Sequence, residues 1–315
     1  MRTAFIKQLC ESAVQDERIW LLCGDLGYSV LEVFANAFPK RYVNVGVAEQ
    51  NMTGVAAGLA LSGKIVFTYS IANFPVMRCL EQIRNDVCYH LLNVKIVSVG
   101  GGMAYGTHGY THHGVEDLAV MRALPNMNVV APGDPVETRG AVKALLASSG
   151  PAYLRLGKAG EPNVHPTSVN FALGQAIPVR AGSEVTLFTT GGVLKMGMDA
   201  AVQLEAIDIS AGLISMPSIA PIDRETVLRA ARETGFLVSI EEHGPGGLGT
   251  AIAEILAEEE IVVRFIPIRL RHEIIKIAGS QEFLRTALGV SQQSIVEAVI
   301  KGLSLQGRSR KPQSS

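Results

Sequence analysis

The chain has 315 residues, of which 48% are hydrophobic and 18% are charged, and its formal net charge is −1. This length is enough for about two domains, and the composition is typical of a well-buried globular protein. The near-neutral charge, with no basic block before the last few residues, excludes the electrostatic footprint of a nucleic-acid-binding protein. Gly, Pro or charged residues interrupt every apolar stretch, so we expect no membrane span.

The four cysteines show no C-x-x-C spacing, which favours buried thiols in a reducing compartment. The amphipathic N-terminal segment MRTAFIKQLCESAV contains a glutamate and lacks the apolar core of a secretory signal. We therefore predict a soluble, cytoplasmic protein.

Apolar, β-rich runs alternate with helical patterns along the first half of the chain. The predicted strands cover residues 19–23, 64–69, 94–99, 128–130 and 152–156. Helical patterns between them include residues 77–89 and 135–147. This alternation is typical of βα units whose parallel strands are buried on both faces.

Chain-breaking residues become frequent in GKAGEPNVHPTSVNFALGQ, from residue 157, and a second βα series follows. Its predicted strands cover residues 185–190, 211–216, 236–241 and 262–268, and its predicted helices cover 196–205, 224–233 and 250–256. The sequence therefore predicts an α/β fold with two doubly wound domains, residues 1–160 and 182–304. We expect residues 161–181 to form a linker and residues 305–315 a disordered tail.

The stretch GPGGLG, residues 244–249, matches the G-x-G-x-x-G pattern of dinucleotide-binding proteins and lies between a predicted strand and a predicted helix. However, it comes after most of the βα units, and Glu241 and Glu242 just before it would place negative charge near a pyrophosphate. We therefore interpret it as a glycine-rich turn.

One acid interrupts the apolar segment NVGVAEQNMTGVAAGLA, residues 44–60. Met52, Val55 and Leu59 recur at helical spacing after it, which places Glu49 near the start of a helix. Acids are common at helix N-termini, where the helix dipole is positive, so this position has an ordinary interpretation. However, few polar groups flank Glu49, and a carboxylate removed from water is costly unless it is protonated or hydrogen-bonded. Burial would therefore favour a neutral carboxylic acid.

A buried carboxylic acid suits the chemistry of thiamine diphosphate. This cofactor becomes reactive when a carboxylic acid holds N1′ of its aminopyrimidine ring, because the tautomer then favoured can remove the C2 proton of the thiazolium through N4′. The cofactor carries the organic chemistry, and the protein supplies the proton relay.

Several long segments resemble the transketolase family. They are NVGVAEQNMTGVAAGLALSGKIVF, EQIRNDVCYHLLNVKIV, GYTHHGVEDLAVMRALPNMNVVAPGDPVE and PAYLRLGKAGEP. VTLFTTGGVLKMGMDAAVQL and ETGFLVSIEEHGPGGLGTAIAEIL resemble the C-terminal domain of that family. The resemblance implies a pyrimidine-binding domain followed by a transketolase C-terminal domain, and it makes the glycine-rich turn part of the family pattern.

The resemblance implies a set of residues that contact the cofactor. Glu49 matches the family's catalytic glutamate at N1′ of the aminopyrimidine. Phe74, in SIANFPVMR, matches the phenylalanine that stacks on this ring, although a plain core aromatic is the alternative. Ile71 lies where many transketolases have a second phenylalanine, and Asp25 and Leu26, in GDLGYS, match a cofactor-contacting pair.

The resemblance also implies a set of residues that contact the substrate. His112, in GYTHHG, would approach the cofactor and the substrate carbonyl as a hydrogen-bond donor or proton carrier. Ser29 aligns with a serine near the substrate phosphate, and Arg2 and Arg155 align with arginines that hold it. Each arginine could instead form a surface ion pair.

The histidine loop, residues 108–113, departs from the pattern of transketolases that act on common sugar phosphates. His108 stands where those enzymes have an aspartate, and an upstream phosphate-binding histidine is replaced near Gly100. We therefore expect a related but specialised substrate. A metal site in this loop is a rival interpretation, but the nearby acids Glu116 and Asp117 begin the next helix and fit its dipole, so we predict no metal ligands in this chain.

The chain contains no Gly-Asp-Gly, the usual start of the diphosphate and Mg²⁺ site of thiamine enzymes. The resemblance therefore implies a split transketolase, in which an N-terminal subunit supplies the diphosphate-binding domain and Mg²⁺. We predict an α2β2 assembly with thiamine diphosphate bound between subunits.

The leading hypothesis is transfer of a two-carbon ketol unit from a ketose, expected to be phosphorylated, to an aldehyde. A rival is a subunit of an enzyme that resembles deoxyxylulose-phosphate synthase or decarboxylates 2-oxoacids. A non-catalytic scaffold subunit is the alternative from another class, and the presence of Glu49, Phe74 and His112 argues against it.

Overall fold

The structure is a computed structural model that describes residues 1–166 and 168–309. Its strands are β1 (Ile19–Cys23), β2 (Tyr42–Asn44), β3 (Ile65–Ile71), β4 (Val94–Val99), β5 (Asn128–Val130), β6 (Ala152–Leu156), β7 (Ile177–Arg180), β8 (Val185–Thr189), β9 (Ala211–Ser215), β10 (Ser218–Ala220), β11 (Phe236–Ile240) and β12 (Arg264–Ile268). Its helices are α1 (Arg2–Gln15), α2 (Glu32–Ala37), α3 (Glu49–Leu61), α4 (Phe74–Met77), α5 (Leu80–Gln82), α6 (Asp117–Arg122), α7 (Pro135–Ala147), α8 (Leu194–Glu205), α9 (Arg224–Thr234), α10 (Leu248–Glu258), α11 (Gln281–Ala287) and α12 (Gln292–Ser309). A π-helical turn covers Ile83–Cys88, and 3₁₀ turns cover Gly106–His108 and Tyr110–His112.

The first sheet has seven strands in the order β10-β5-β6-β4-β3-β1-β2. Strands β1 to β6 are parallel to one another, as the βα alternation predicts. Successive residues of β1 point to opposite faces, so Leu21 joins one apolar cluster and Leu22 joins another. Because both faces are covered, β4 and β6 are buried along their whole length, which explains why most of their residues are apolar.

The second sheet has five strands in the order β12-β11-β8-β9-β7. Its strands are parallel except β7, which runs antiparallel to β9. Strand β10 leaves this half of the chain and pairs antiparallel with β5, where Ser218 lies opposite Val130. The predicted α/β fold class is therefore confirmed, and the two halves share the first sheet.

The segments between and after the predicted domains contain regular structure. Strand β7 lies inside the predicted linker, and α12 continues to Ser309, so residues 305–309 are helical rather than a disordered tail. Residues 310–315 of the predicted tail lie outside the described residues. The domain limits at 160 and 182 stay a prediction. Within the described part of the chain, no helix has the length and apolar character needed to cross a membrane.

The carboxyl ends of β1, β3 and β4 open at one edge of the first sheet, because Cys23 pairs with Tyr69 and Ile71 pairs with Val99. The loops after these strands carry most of the predicted site residues, and ligands of open parallel sheets bind at this edge. After β3, the helix predicted over residues 77–89 is divided into α4, α5 and the π-helical turn, since Cys79 departs from helical geometry (φ −114°, ψ 11°).

Candidate active site

Glu49 is buried at the first position of α3, with only 3% of its surface exposed. Its Oε1 accepts a hydrogen bond from Ser70 Oγ at 3.1 Å, and its Oε2 accepts one from Arg78 Nη1 at 2.9 Å. Gly24, at the end of β1, faces the same carboxylate, since a Cβ there would lie 3.5 Å from Oε1. The acid is therefore held from two sides and approached by bare backbone on a third.

The pairing with Arg78 shows that Glu49 does not lie alone in its apolar surroundings. Buried charges in proteins are normally paired and hydrogen-bonded, and Glu49 has both kinds of partner. Ser70 and Arg78 lie 21 and 29 residues further along the chain, so local sequence around Glu49 gave no sign of them. The only available signal was that both residues flank the aromatic motif in YSIANFPVMR.

Phe74 begins α4 and lies between Arg78 and the histidine loop. The Arg78 guanidinium carbon is 4.2 Å from the centre of the Phe74 ring, and the His112 ring meets Phe74 edge-on at 5.2 Å between centroids. Asn73 Nδ2 donates to the carbonyl of Thr111 at 2.8 Å, which ties the loop after β3 to the histidine loop. Glu49, Phe74 and His112 are therefore brought together, although 63 residues separate the first from the last.

The exposed His108 and the half-buried His112 pack against each other with tilted rings. The centroids of His108 and His112 are 4.9 Å apart, and Tyr105 packs edge-on against His108 at 5.7 Å. Partial burial lowers the pKa of His112, and the neighbouring His108 and Arg78 lower it further. His112 is therefore a neutral imidazole near neutral pH, able to donate or accept one proton.

The loop after β1 lies at the same edge and faces outward. Asp25 and Ser29 are exposed and adopt positive φ angles of 55° and 62°, while Leu26 is half-buried against the first apolar cluster. Asn44 Nδ2 donates to Asp25 Oδ1 at 2.9 Å, which fixes the loop against β2. Ile71 is half-buried at the end of β3.

The two predicted phosphate-binding arginines have different surroundings. Arg2 is half-buried near Tyr69 and Tyr105, and its positive charge opposes the burial that raises the pKa of both phenols. Arg155 is 5% exposed, and its Nε donates to Asp117 Oδ2 at 2.9 Å. Its Nη2 donates to the carbonyls of Gly114 at 2.6 Å and Glu242 at 3.1 Å. Arg155 is thus occupied in a buried network rather than in a surface ion pair, and its role in phosphate binding stays a prediction.

A cavity of about 610 Å³ lies between the two halves of the chain and is lined in part by Arg155, Lys195, Glu242 and Arg285. It includes none of Glu49, Phe74 or His112, so it is separate from the predicted cofactor site, although it includes the predicted substrate residue Arg155. Across residues 1–166 and 168–309, no three His, Cys, Asp or Glu side chains come together in a way that could hold a metal ion.

Two domain families match this chain. Residues 1–161 match the transketolase pyrimidine binding domain, and residues 174–295 match the transketolase C-terminal domain. The chain belongs to the transketolase family.

Relatives of this transketolase-family chain include separate subunits. A subunit of the apulose-4-phosphate transketolase of Phocaeicola vulgatus is 41% identical over 270 residues, covering 85% of this chain and 86% of the relative. The 6-deoxy-6-sulfo-D-fructose transketolase subunit SqwH of Clostridium sp. is 36% identical over 301 residues, covering 95% and 92%. A solved structure described as "Split gene transketolase, inactive beta4 tetramer" is 40% identical, with a TM-score of 0.87 over 96% of this chain and 98% of that one.

The comparisons confirm the family and the order of the two domains. The roles of Asp25, Ile71, Phe74 and His112 in this transketolase-family chain stay predictions, as does the role of Glu49.

Proposed function

We propose that this chain is the subunit of a split transketolase that supplies the pyrimidine-binding half of a thiamine diphosphate site. In the cytoplasm, together with a diphosphate-binding partner subunit, it would transfer a two-carbon ketol unit from a ketose to an aldehyde. The observation that carries this proposal is the convergence of a buried acid, Glu49, with Phe74 and His112 at the carboxyl edge of the first sheet.

The residues present fit the aminopyrimidine half of the cofactor. Glu49 offers a carboxylate whose orientation is fixed by Ser70, and Gly24 leaves backbone rather than a side chain beside it. Phe74 offers a half-buried aromatic ring next to this acid, and Asp25 and Leu26 lie on the loop that follows β1. Ile71 would add apolar contact without stacking.

When bound, thiamine diphosphate supplies a thiazolium that stabilises negative charge on the carbon being transferred. Glu49 would hold a proton at N1′ of the aminopyrimidine, and Phe74 would orient that ring. His112, kept neutral by burial and by neighbouring positive charge, would donate to or accept a proton from a substrate oxygen. His108, packed against His112, would contact the substrate beside it.

We propose that the partner subunit holds the diphosphate and Mg²⁺, in a heterotetramer with two copies of each subunit. Three of the relatives are named as individual subunits of transketolases, and this chain spans most of their length. Tyr28, on the loop after β1, and Val47, on the loop after β2, are each 73% exposed. Such residues suit a subunit interface better than a free surface.

We propose that the substrate carries an anionic terminal group. The relatives are named for a sugar phosphate and for a sulfonated sugar. In this chain Arg2 lies near Tyr105 and thus near the histidine loop, with Ser29 on the outward-facing loop after β1. Arg155 is held in its buried network, so Arg2 is the more accessible of the two predicted arginines.

The test is reconstitution with the diphosphate-binding subunit and a screen of phosphorylated, sulfonated and neutral ketoses with aldehyde acceptors. Thiamine-dependent ketol transfer with a preference for the anionic ketoses would support the proposal. Release of CO₂ from pyruvate instead would favour the synthase-like alternative. Unchanged activity of a Glu49→Ala complex would favour the scaffold alternative.

A further inference from the structure

Arg78 makes the two contacts that an aminopyrimidine ring would need at this site. Its Nη1 donates to Glu49 Oε2 at 2.9 Å, and its guanidinium carbon lies 4.2 Å from the centre of the Phe74 ring. Phe74 and Arg78 are four residues apart across α4, a spacing that places both side chains on the same face of a helix. The Arg78 side chain is 48% exposed, whereas the Glu49 side chain is 2% exposed.

A guanidinium and a protonated aminopyrimidine share several properties. Both are flat, carry a delocalised positive charge and present N–H donors in their plane. Both can also lie against an aromatic face while donating to a carboxylate. A ring that bonds Glu49 and packs on Phe74 must therefore compete with the Arg78 guanidinium for the same acceptor.

We propose that Arg78 is a placeholder that occupies the aminopyrimidine position in the cofactor-free chain and leaves it when the cofactor binds. This inference rests on the proposed function, because it takes Glu49 as the acceptor for N1′. The exchange keeps a positive partner on the buried carboxylate in both states, and an uncompensated buried charge is the costly alternative. The long, half-exposed side chain of Arg78 can leave toward solvent without moving α3 or β3.

The placeholder has opposite effects on stability and on cofactor binding. In the cofactor-free chain it stabilises the fold around Glu49. In the assembled enzyme it lowers the apparent cofactor affinity, because only molecules with Arg78 displaced are competent to bind. A residue that held the cofactor directly would raise that affinity instead.

The experiment uses the full-length chain, alone and reconstituted with its diphosphate-binding partner. The variants are Arg78→Met, which removes the charge, and Arg78→Lys, which keeps a charge without the planar fork. Arg84→Met is the matched control, since Arg84 is exposed and its Nη1 bonds only the side chain of its neighbour Asn85. The measurements are the thermal midpoint of the chain alone and the dissociation constant of Mg²⁺–thiamine diphosphate for the complex, by calorimetry.

We expect Arg78→Met to lower the midpoint by about 2–4 °C and to tighten cofactor binding about three- to tenfold. Arg78→Lys should move both quantities in the same directions by less, and Arg84→Met should move neither. Weaker binding by Arg78→Met, or an unchanged dissociation constant, would overturn the inference. If Arg78→Met does not fold, tighter binding by Arg78→Lys supports the inference and unchanged or weaker binding overturns it. Absence of cofactor binding by the unmodified complex is a separate result, because it would overturn the proposed function and this inference with it.

Discussion

The Arg78–Glu49 and Arg155–Asp117 ion pairs both lie close to the histidine loop but differ in access to solvent. Arg78 pairs with Glu49 at the open edge of the first sheet, and its side chain is 48% exposed. Arg155 pairs with Asp117 between the two halves of the chain, where the side chains are 5% and 0% exposed. The first pair can be opened by moving one flexible side chain, whereas the second can be opened only by separating packed elements.

The partners of each pair show why this difference matters. Glu49 has one fixed neighbour, Ser70, and one exchangeable neighbour. Asp117 accepts hydrogen bonds from both Tyr153 and Arg155, and its other oxygen lies 3.6 Å from His243 Nε2. The same kind of ion pair can therefore exchange its arginine at Glu49 and stabilises the fold at Asp117. The burial of the arginine decides between these two roles.

The largest expected effect is a loss of activity when Glu49, in the solvent-accessible pair with Arg78, is changed. Glu49→Gln keeps the size of the side chain and an acceptor for Ser70, so we expect the variant to fold. Loss of the acid that serves N1′ should lower ketol transfer by about 100-fold or more in the reconstituted enzyme. Steady-state rates check this, with the exposed Glu81→Gln as control. Near-normal turnover by Glu49→Gln would contradict the catalytic role.

The next effect is on stability at the buried pair. Arg155→Met leaves Asp117 charged and buried, so we expect the free energy of unfolding to fall by about 3–5 kcal/mol. Denaturant unfolding measures this change. Arg224→Met, at an exposed pair with Glu258 and Glu259, should leave stability almost unchanged. If Arg155→Met instead raised the KM for an anionic substrate with unchanged stability, Arg155 would be a substrate ligand after all.

A third effect is a pH dependence of stability at the buried pair, where His243 lies beside Asp117. Burial lowers the pKa of His243 to about 4, although Asp117 opposes the shift. The unfolded chain binds this proton near the ordinary value of 6.5, so the folded state loses stability as pH falls from 6.5 toward 4. The loss attributable to His243 is about 2–3 kcal/mol.

The measurement for this third effect is the free energy of unfolding as a function of pH. His243→Gln should flatten the slope between pH 6.5 and 4, whereas the exposed His272→Gln should keep it. Equal slopes for the unmodified chain and His243→Gln would show that other groups control the acid response.

The smallest expected effect is on the pKa of His112, which lies near the Arg78–Glu49 pair. Burial and His108 lower its pKa more than Arg78 does, so removal of Arg78 should raise the pKa of His112 only slightly. Nuclear magnetic resonance titration of the cofactor-free Arg78→Met chain measures this, with Arg84→Met for comparison. If the pKa of His112 fell instead, this would contradict the position of the Arg78 guanidinium over the Phe74 ring.

Much of the fold could be predicted from local sequence. The strands 94–99, 128–130 and 152–156 appear at the predicted residues, because a strand buried on both faces needs a mostly apolar run whatever its neighbours are. Glu49 was placed at a helix start by the spacing of Met52, Val55 and Leu59, and α3 begins there. These features depend on the spacing of apolar residues, which can be read from a few consecutive residues of the chain.

The pairing of distant side chains was decided only by the tertiary structure. Arg78 reaches Glu49 because β3 pairs with β1. The short helix α4, which follows β3 and ends before the break at Cys79, places Arg78 at the edge of the sheet. Arg155 became buried because β6 lies inside the first sheet and the second half of the chain covers its end. Strand β10 joins the first sheet through a pairing 88 residues from its partner at Val130. Sequence periodicity sets which face of an element is apolar, whereas strand order and register set which charges meet.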